Sequence, residues 1–298
     1  MDHFNAPPIG LALRRLRKKH RLTQKDLANG ICSQAEISKI ENGTHSPTVD
    51  LLFALSRRLQ VPISMFLDSA NQQDSIRMVD DTLLTRFRNQ EFLNIYNEMK
   101  ILSKQQSVES EWGLLYHFYF SLCAFRLQKI DYRTCIVELQ NLFEKYATTY
   151  YSPSMLIRIK SAIANIYYEN KSYHHGMRVY GELLNLNYDS DELMIARIRV
   201  LYNFSKVLLQ LKKADEALSY LEEGIETSLR YKDMSLLGQL LYQKGSALEM
   251  LGAPINSIQE TFTKAYIMFE MLGMTEYQQI MRDKQKHFLL FDFATPST

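Results

Sequence analysis

Between Ile9 and Lys25 the chain carries seven basic residues, Arg14, Arg15, Arg17, Lys18, Lys19, Arg21 and Lys25, and no acid. Such a density attracts a polyanion. A little further on stand Gln34, Ala35, Ser38 and Lys39, side chains that are short, amide-bearing or basic. A glutamine pairs with adenine through two hydrogen bonds, an alanine methyl meets a thymine methyl, and a lysine reaches guanine. The chemistry on offer is the reading of double-stranded DNA. Gln34, Ala35, Ser38 and Lys39 are expected at base edges, and Gln24, Lys25, Arg17 and Thr44 at phosphates. Charge alone leaves a solvated helix face open as the plain alternative.

The elements needed to hold those residues are legible. Leu11, Leu13, Leu16 and Leu22 give an apolar side to a basic helix from about Ile9 to His20. Thr23-Gln24-Lys25-Asp26 has the form of a capping box and opens a second helix, which Asn29-Gly30 stops. A second box, Ser33-Gln34-Ala35-Glu36, opens a third helix with Ile37 and Ile40 inward and Asn42-Gly43 at its end. Neither short helix buries a core alone. Both need the first helix and a fourth, Thr48–Leu59, with Leu51, Leu52, Leu55 and Leu59 inward. In such a unit the third helix enters the major groove by its N-terminal end while the helix before it crosses the backbone.

These residues carry a resemblance. Leu13-Arg-Arg-Leu-Arg-Lys-Lys-His-Arg-Leu-Thr-Gln-Lys-Asp-Leu-Ala28, Ile37-Ser-Lys-Ile-Glu-Asn-Gly43 and Pro47 resemble the Xre/Cro family of helix-turn-helix domains over about sixty residues. Leu27 to Ile37 is ten residues, one fewer than is usual there. The shortened turn resembles that of the PlcR and Rgg type of regulator. Cys32 in that turn is expected to be a small core residue.

Of the 298 residues, 46% are hydrophobic and 23% charged, values ordinary for a globular protein of about two domains. Few glycines and prolines point to an all-α fold. The sequence predicts a DNA-binding domain at 1–68, a polar linker at 69–75 and a second domain at 76–298. Residues 1–68 carry a net charge of +4 and the remainder −2. No apolar run approaches a membrane span. The first residues lack the basic start and apolar core of a signal peptide. Three cysteines without paired spacing fit a reducing compartment. A cytoplasmic protein with no membrane partner is expected. Metal-ligand spacing, a glycine-rich phosphate loop and a nucleophile–base pair are all missing from the sequence, so no catalytic residue, metal or cofactor is expected. His174-His175 read as solvent-facing.

The second domain contains a hidden repeat. Leu83, Cys123, Ala164, Ser205 and Gly245 recur at 40, 41, 41 and 40 residues. Nine residues after each stand Phe92, Tyr132, Tyr173, Ala214 and Pro254, at the turn into a second helix. The copies beginning at Ala164 and Ser205 resemble the tetratricopeptide repeat, with Ser205 set against Ala217. Five helix pairs and a final helix, Thr275 to about Phe291, would form a right-handed solenoid with a concave surface. Its first helices would expose three rows: Arg77, His117, Arg158, Arg199 and Gln239; Asp80, Phe120, Ser161, Tyr202 and Tyr242; Leu84, Ala124, Asn165, Lys206 and Ser246. Basic, aromatic and amide groups in that mixture suit an extended peptide with an acidic group. A groove for another protein, or for no ligand, stays open. Cys123 and Cys135 fall where paired helices touch and are expected as core residues, with a redox role left open.

Along nearly its whole length the chain is similar to the PlcR-like branch of the Rap, Npr, PlcR and PrgX peptide-pheromone receptors. The distinctive pieces are Asn29-Gly-Ile-Cys-Ser-Gln-Ala-Glu-Ile-Ser38, Ala162-Ile-Ala-Asn-Ile-Tyr167 and Leu237-Gly-Gln-Leu-Leu-Tyr-Gln-Lys-Gly245. The resemblance implies a homodimeric bacterial transcription regulator of quorum-sensing type, binding palindromic promoter DNA under control of a short signalling peptide. It places peptide contacts at Asn165, Asn203, Gln239 and Tyr277, beside Arg158, Arg199, Tyr202 and Tyr242 from the rows. A basic pair near the first repeat in that branch is here Arg88 and Gln90, one charge short. Gating by a metabolite or protein partner, or none, is the alternative.

Overall fold

The computed structural model describes residues 8–61, 63–105, 110–149 and 153–290, and all regular structure among them is helical. The chain divides into two compact units, residues 1–159 and 160–298.

The first unit begins with α1 (Pro8–Lys19), α2 (Gln24–Ala28), α3 (Gln34–Glu41) and α4 (Val49–Arg58). Leu13, Leu27, Ile37, Ile40, Leu55 and Phe66 are fully buried and form its core, with Leu51 packed at the edge. Local chemistry sets each boundary. Asp26 N donates to Thr23 Oγ1 at 3.1 Å and Thr23 N donates to Asp26 Oδ2 at 2.9 Å, so the first capping box is complete. The Thr23 hydroxyl also donates to Asp26 Oδ2 at 2.6 Å, and this bond, with that from Thr23 N, holds the Asp26 carboxyl below its usual range. The second box is only half made. Glu36 N donates to Ser33 Oγ, but the Glu36 carboxylate lies 3.0 Å from His45 Nε2 instead of returning to Ser33. Arg58 ties α4 to the carbonyl end of α2 by donating to Asp26 O and Asn29 O. α1 approaches α3 so closely that a Cβ on Gly10 would lie 2.0 Å from Ile40 O.

The stretch at 69–75, read as a linker able to run into the next helix, is helical throughout and lies inside the continuous α5 (Ser64–Arg88). Its polarity removes a reason to pack, but without Pro or Gly nothing in it breaks a helix. α6 (Phe92–Gln105), α7 (Glu111–Arg126) and α8 (Tyr132–Thr149) follow, and α1 packs against α5. Arg15 Nη1 donates to Glu111 Oε1 at 2.9 Å, a pair almost closed to solvent. Burial raises the Glu111 carboxyl above its usual range, opposed by Arg15.

The boundary between the units falls within α9 (Pro153–Glu169). The second unit continues with α10 (Tyr173–Leu184), α11 (Asp191–Gln210), α12 (Ala214–Tyr231), α13 (Leu237–Met250), α14 (Ile255–Met271) and α15 (Thr275–Lys284). The repeat register predicted these boundaries. Phe92, Tyr132, Tyr173 and Ala214 each begin a second helix, and Pro254 immediately precedes one. Cys123, Ala164 and Ser205 are fully buried. Gln90, Lys171, Lys212 and Gly252 each take positive φ, between 57° and 66°, and close the first helix of their pair in a left-handed turn. The final helix is shorter than expected. It stops at Lys284, and a 3₁₀ turn, Lys286–Phe288, swings Phe288 onto Phe262 with ring centroids 5.4 Å apart.

Gly245 makes the closest of these helix contacts: a Cβ there would sit 2.7 Å from the ring of Phe262, itself fully buried. Gly245→Ala should therefore lose about 1–3 kcal/mol to overpacking, outweighing the gain of roughly 1 kcal/mol in helix propensity. Urea unfolding measures the net effect. An unchanged or raised midpoint would show that Phe262 has room to yield.

Candidate nucleic-acid interface and ligand-binding face

Ile37 and Ile40 fix which side of α3 turns inward, and Gln34, Ala35 and Lys39 are exposed on the other, with Ser38 half-buried between. Lys25 and Thr44 are exposed beside them. Thr44 closes the turn after α3, its hydroxyl donating to Lys39 O at 3.1 Å. These six expected contact residues thus share one neighbourhood.

Arg17 does not join them, and this corrects its assignment to a phosphate. It is 7% exposed, and its guanidinium donates to both carboxylate oxygens of Glu41, at 2.6 and 2.8 Å, and to Leu22 O at 2.8 Å. Of the seven basic residues between Ile9 and Lys25 periodicity does not single out the one that points inward, and the signal for it is Glu41, an acid placed one residue after the inward-facing Ile40. Gln24 is also diverted. Its amide nitrogen donates to Glu41 Oε2 at 2.9 Å and its oxygen accepts from Gln34 Nε2 at 3.4 Å, so it supports Gln34 from behind. Cys32 is half-buried against the core, and burial raises its thiol above the usual range.

In the repeats of the first unit, Arg158 is likewise committed within the chain. It donates to Asp80 and, at 2.9 Å, to the Tyr119 hydroxyl, which in turn donates to Asp80 Oδ1. Its guanidinium lies over the Phe118 and Tyr119 rings. The expected peptide cation is therefore an internal strut joining α5, α7 and α9. Arg88 is exposed at the end of α5. Cys123 and Cys135 are free and buried, with both thiols pushed up to about 12 by desolvation.

In the second unit the first helices bring a cluster of tyrosines together. Tyr202 on α11 senses Tyr168 of α9, Tyr242 of α13 and Tyr277 of α15, and burial with these neighbours raises its hydroxyl well above the usual range. Tyr277 stacks on Phe269 at 4.9 Å. Lys206, one turn from Tyr202, places its ammonium 4.7 Å from the Tyr168 ring centroid and 5.5 Å from that of Tyr202. Asn165, half-buried, accepts from the Tyr180 hydroxyl at 2.6 Å. Asn203 is half-buried and Arg199 exposed on α11. Gln239 is 6% exposed, its nitrogen 3.7 Å from Met274 Sδ and its oxygen without a hydrogen-bond partner. Tyr168 escaped sequence reasoning because it lies off the three expected rows, and Lys206 stood in a row without being assigned a contact. Among the described residues no cluster of three or more His, Cys, Asp or Glu could hold a metal, and no helix is long and apolar enough to cross a membrane.

Comparison with known proteins bears on both regions. The profile of the RNPP family C-terminal domain matches residues 81–290, and a helix-turn-helix profile matches residues 13–66. The structure of PlcR from Bacillus thuringiensis in complex with the peptide PapR7 and DNA is 30% identical, covering 94% of this chain and 100% of that one, with a TM-score of 0.63. PlcR in its apo form is 28% identical over 90% of this chain and 98% of that one, at 0.64. ComR from S. thermophilus, in complex with DNA and its signalling peptide ComS, shares the fold at 13% identity, covering 94% and 99% of the two chains, at 0.53. No curated protein sequence matches.

The two roles open to Arg17 separate experimentally. Glu41→Ala leaves a buried guanidinium without its acid and should cost about 3–5 kcal/mol of stability. Arg17→Met with Glu41→Leu should restore most of it in thermal unfolding. A phosphate-binding Arg17 would behave otherwise: Arg17→Met alone would lower the salt dependence of DNA binding while leaving the melting temperature unchanged.

Proposed function

Because the chain belongs to the RNPP family, we propose that it is a cytosolic, homodimeric transcription regulator that binds palindromic promoter DNA under control of a short signalling peptide. The observation that carries the DNA half is the outward side of α3. Gln34, Ala35 and Lys39 are exposed there over a fully buried pair of isoleucines. Supported from behind by Gln24, Gln34 is held for a bidentate pair with adenine, while Lys39 is free to turn toward guanine and Ala35 offers its methyl to thymine. Lys25 and Thr44 stand where phosphates would pass, and the positive balance of residues 1–68 supplies the unspecific attraction.

The tyrosine cluster of the second unit supports the peptide half, together with the amides of Asn165, Asn203 and Gln239. An amide both donates to and accepts from a peptide backbone, and a tyrosine ring supplies contact area with a polar tip. PlcR, 30% identical over 94% of this chain, is seen with both a peptide and DNA. In a homodimer the two copies of α3 must lie about 34–36 Å apart to meet successive major grooves. A peptide controls the regulator by binding more tightly to one arrangement of the two domains than to the other.

Two experiments address the two halves. Gln34→Ala and Lys39→Ala should each lose about 1–3 kcal/mol of discrimination at one base pair of the operator with folding intact. Identical footprints from wild type and both variants would remove α3 as the recognition helix. For the ligand, Asn165→Ala would strand the Tyr180 hydroxyl, so Asn165→Asp is the sharper change: it keeps an acceptor for Tyr180 and deletes the amide donor. The response of DNA binding to peptide-containing cell extract should vanish in Asn165→Asp while basal binding survives. An undiminished response would place the ligand elsewhere.

A further inference from the structure

Among the described residues Lys206 meets no carboxylate at salt-bridge distance. Four other lysines of the second unit, Lys160, Lys213, Lys244 and Lys264, each pair with a glutamate at 2.6–2.8 Å. Lys206 is half-buried, and among the described residues its contacts are the faces of Tyr168 and Tyr202. Desolvation lowers its pKa, opposed by the charge of Glu169. Aromatic faces attract a cation, but they do not take its three N–H donors, and removing an ammonium from water without an acceptor is costly. Lys206 is thus a half-buried cation flanked by tyrosine rings, with Tyr202 in turn neighboured by Tyr242 and Tyr277.

Gln239, one turn before Tyr242 on α13, shows the opposite need: among the described residues its buried Oε1 has no donor. An oxygen of that kind is matched by an N–H, not by a second acceptor.

We infer that Lys206 anchors a carboxylate of the bound ligand, with Gln239 Oε1 accepting one of its backbone N–H groups, so that a peptide lies across α11 and α13 in a fixed direction. The inference rests on the peptide reading above and adds the ligand's charge and polarity to it. The carboxylate comes either from the peptide's C-terminus or from an aspartate or glutamate side chain. Both present the same planar anion to the Lys206 ammonium.

Three pools of random heptapeptides test this on the full-length protein. The first has free C-termini and no acidic side chains, the second is amidated and has none, and the third is amidated with one Asp or Glu. Peptides that co-elute with the protein in gel filtration are counted by mass spectrometry. Wild type should retain the first or the third pool about tenfold over the second, and whichever is retained identifies the source of the carboxylate. Lys206→Met should bring all pools to within about twofold, and Lys206→Arg should keep the preference. Equal retention of all three pools by wild type, or a preference that survives in Lys206→Met, overturns the anchor and leaves the peptide reading standing. Retention of no pool by wild type overturns the peptide reading and the anchor with it.

Discussion

Taking a guanidinium and a carboxylate out of water together costs several kcal/mol per ion, recovered only where geometry is good and the remaining hydrogen-bonding groups are met. Arg17 and Glu41 satisfy that condition, with two charge-assisted hydrogen bonds between them and further bonds to Leu22 O and Gln24. The pair joins the first helix to the end of the third. A hydrophobic contact tolerates sliding, but a buried bidentate pair does not, so it fixes how α3 is rotated and which of its residues face outward. Gly10 is a consequence of the same approach: α1 lies so near Ile40 O that no side chain fits between. The exposed row Gln34, Ala35 and Lys39 therefore rests on a salt bridge that none of those residues makes.

The same criterion, whether a buried polar group has found its partner, separates structure from function in the repeats. Arg158 has found Asp80 and Tyr119, Ser205 donates to Leu201 O, and Tyr180 donates to Asn165. These groups are spoken for, and they hold helices together. Among the described residues the buried Gln239 oxygen has found no partner, and half-buried Lys206 meets the faces of Tyr168 and Tyr202 but no carboxylate at salt-bridge distance. Unmet polar groups are tolerated where a ligand completes them, and these two have opposite character, a cation and a hydrogen-bond acceptor. A peptide, which carries N–H groups along its length and a carboxylate at its end or in its side chains, matches both.

Much of the fold was legible because helices announce their ends. Thr23 and Ser33 cap where expected, and the forty-residue register gave the starts of four second helices from residue identity alone. What stayed hidden were choices made by tertiary contact. Periodicity showed that α1 has an apolar side, but not that Arg17 lies on it, because long side chains are assigned to solvent by default. The polar stretch at 69–75 looked like a linker since composition reports packing, not helicity. Tyr168 lies outside the register rows and emerges only because α9 brings it beside Lys206. The residues whose partner is another side chain far away in sequence were thus the ones misread.

If one chain holds a signalling peptide in its repeats and DNA on α3 as a dimer, native mass spectrometry of the protein isolated from its own cells, before and after denaturation, reads both at once. The expected result is a dimer that releases a species of peptide mass bearing at least one carboxylate. A particle free of peptide in both growing and stationary cells, yet binding its operator at full affinity, would contradict it.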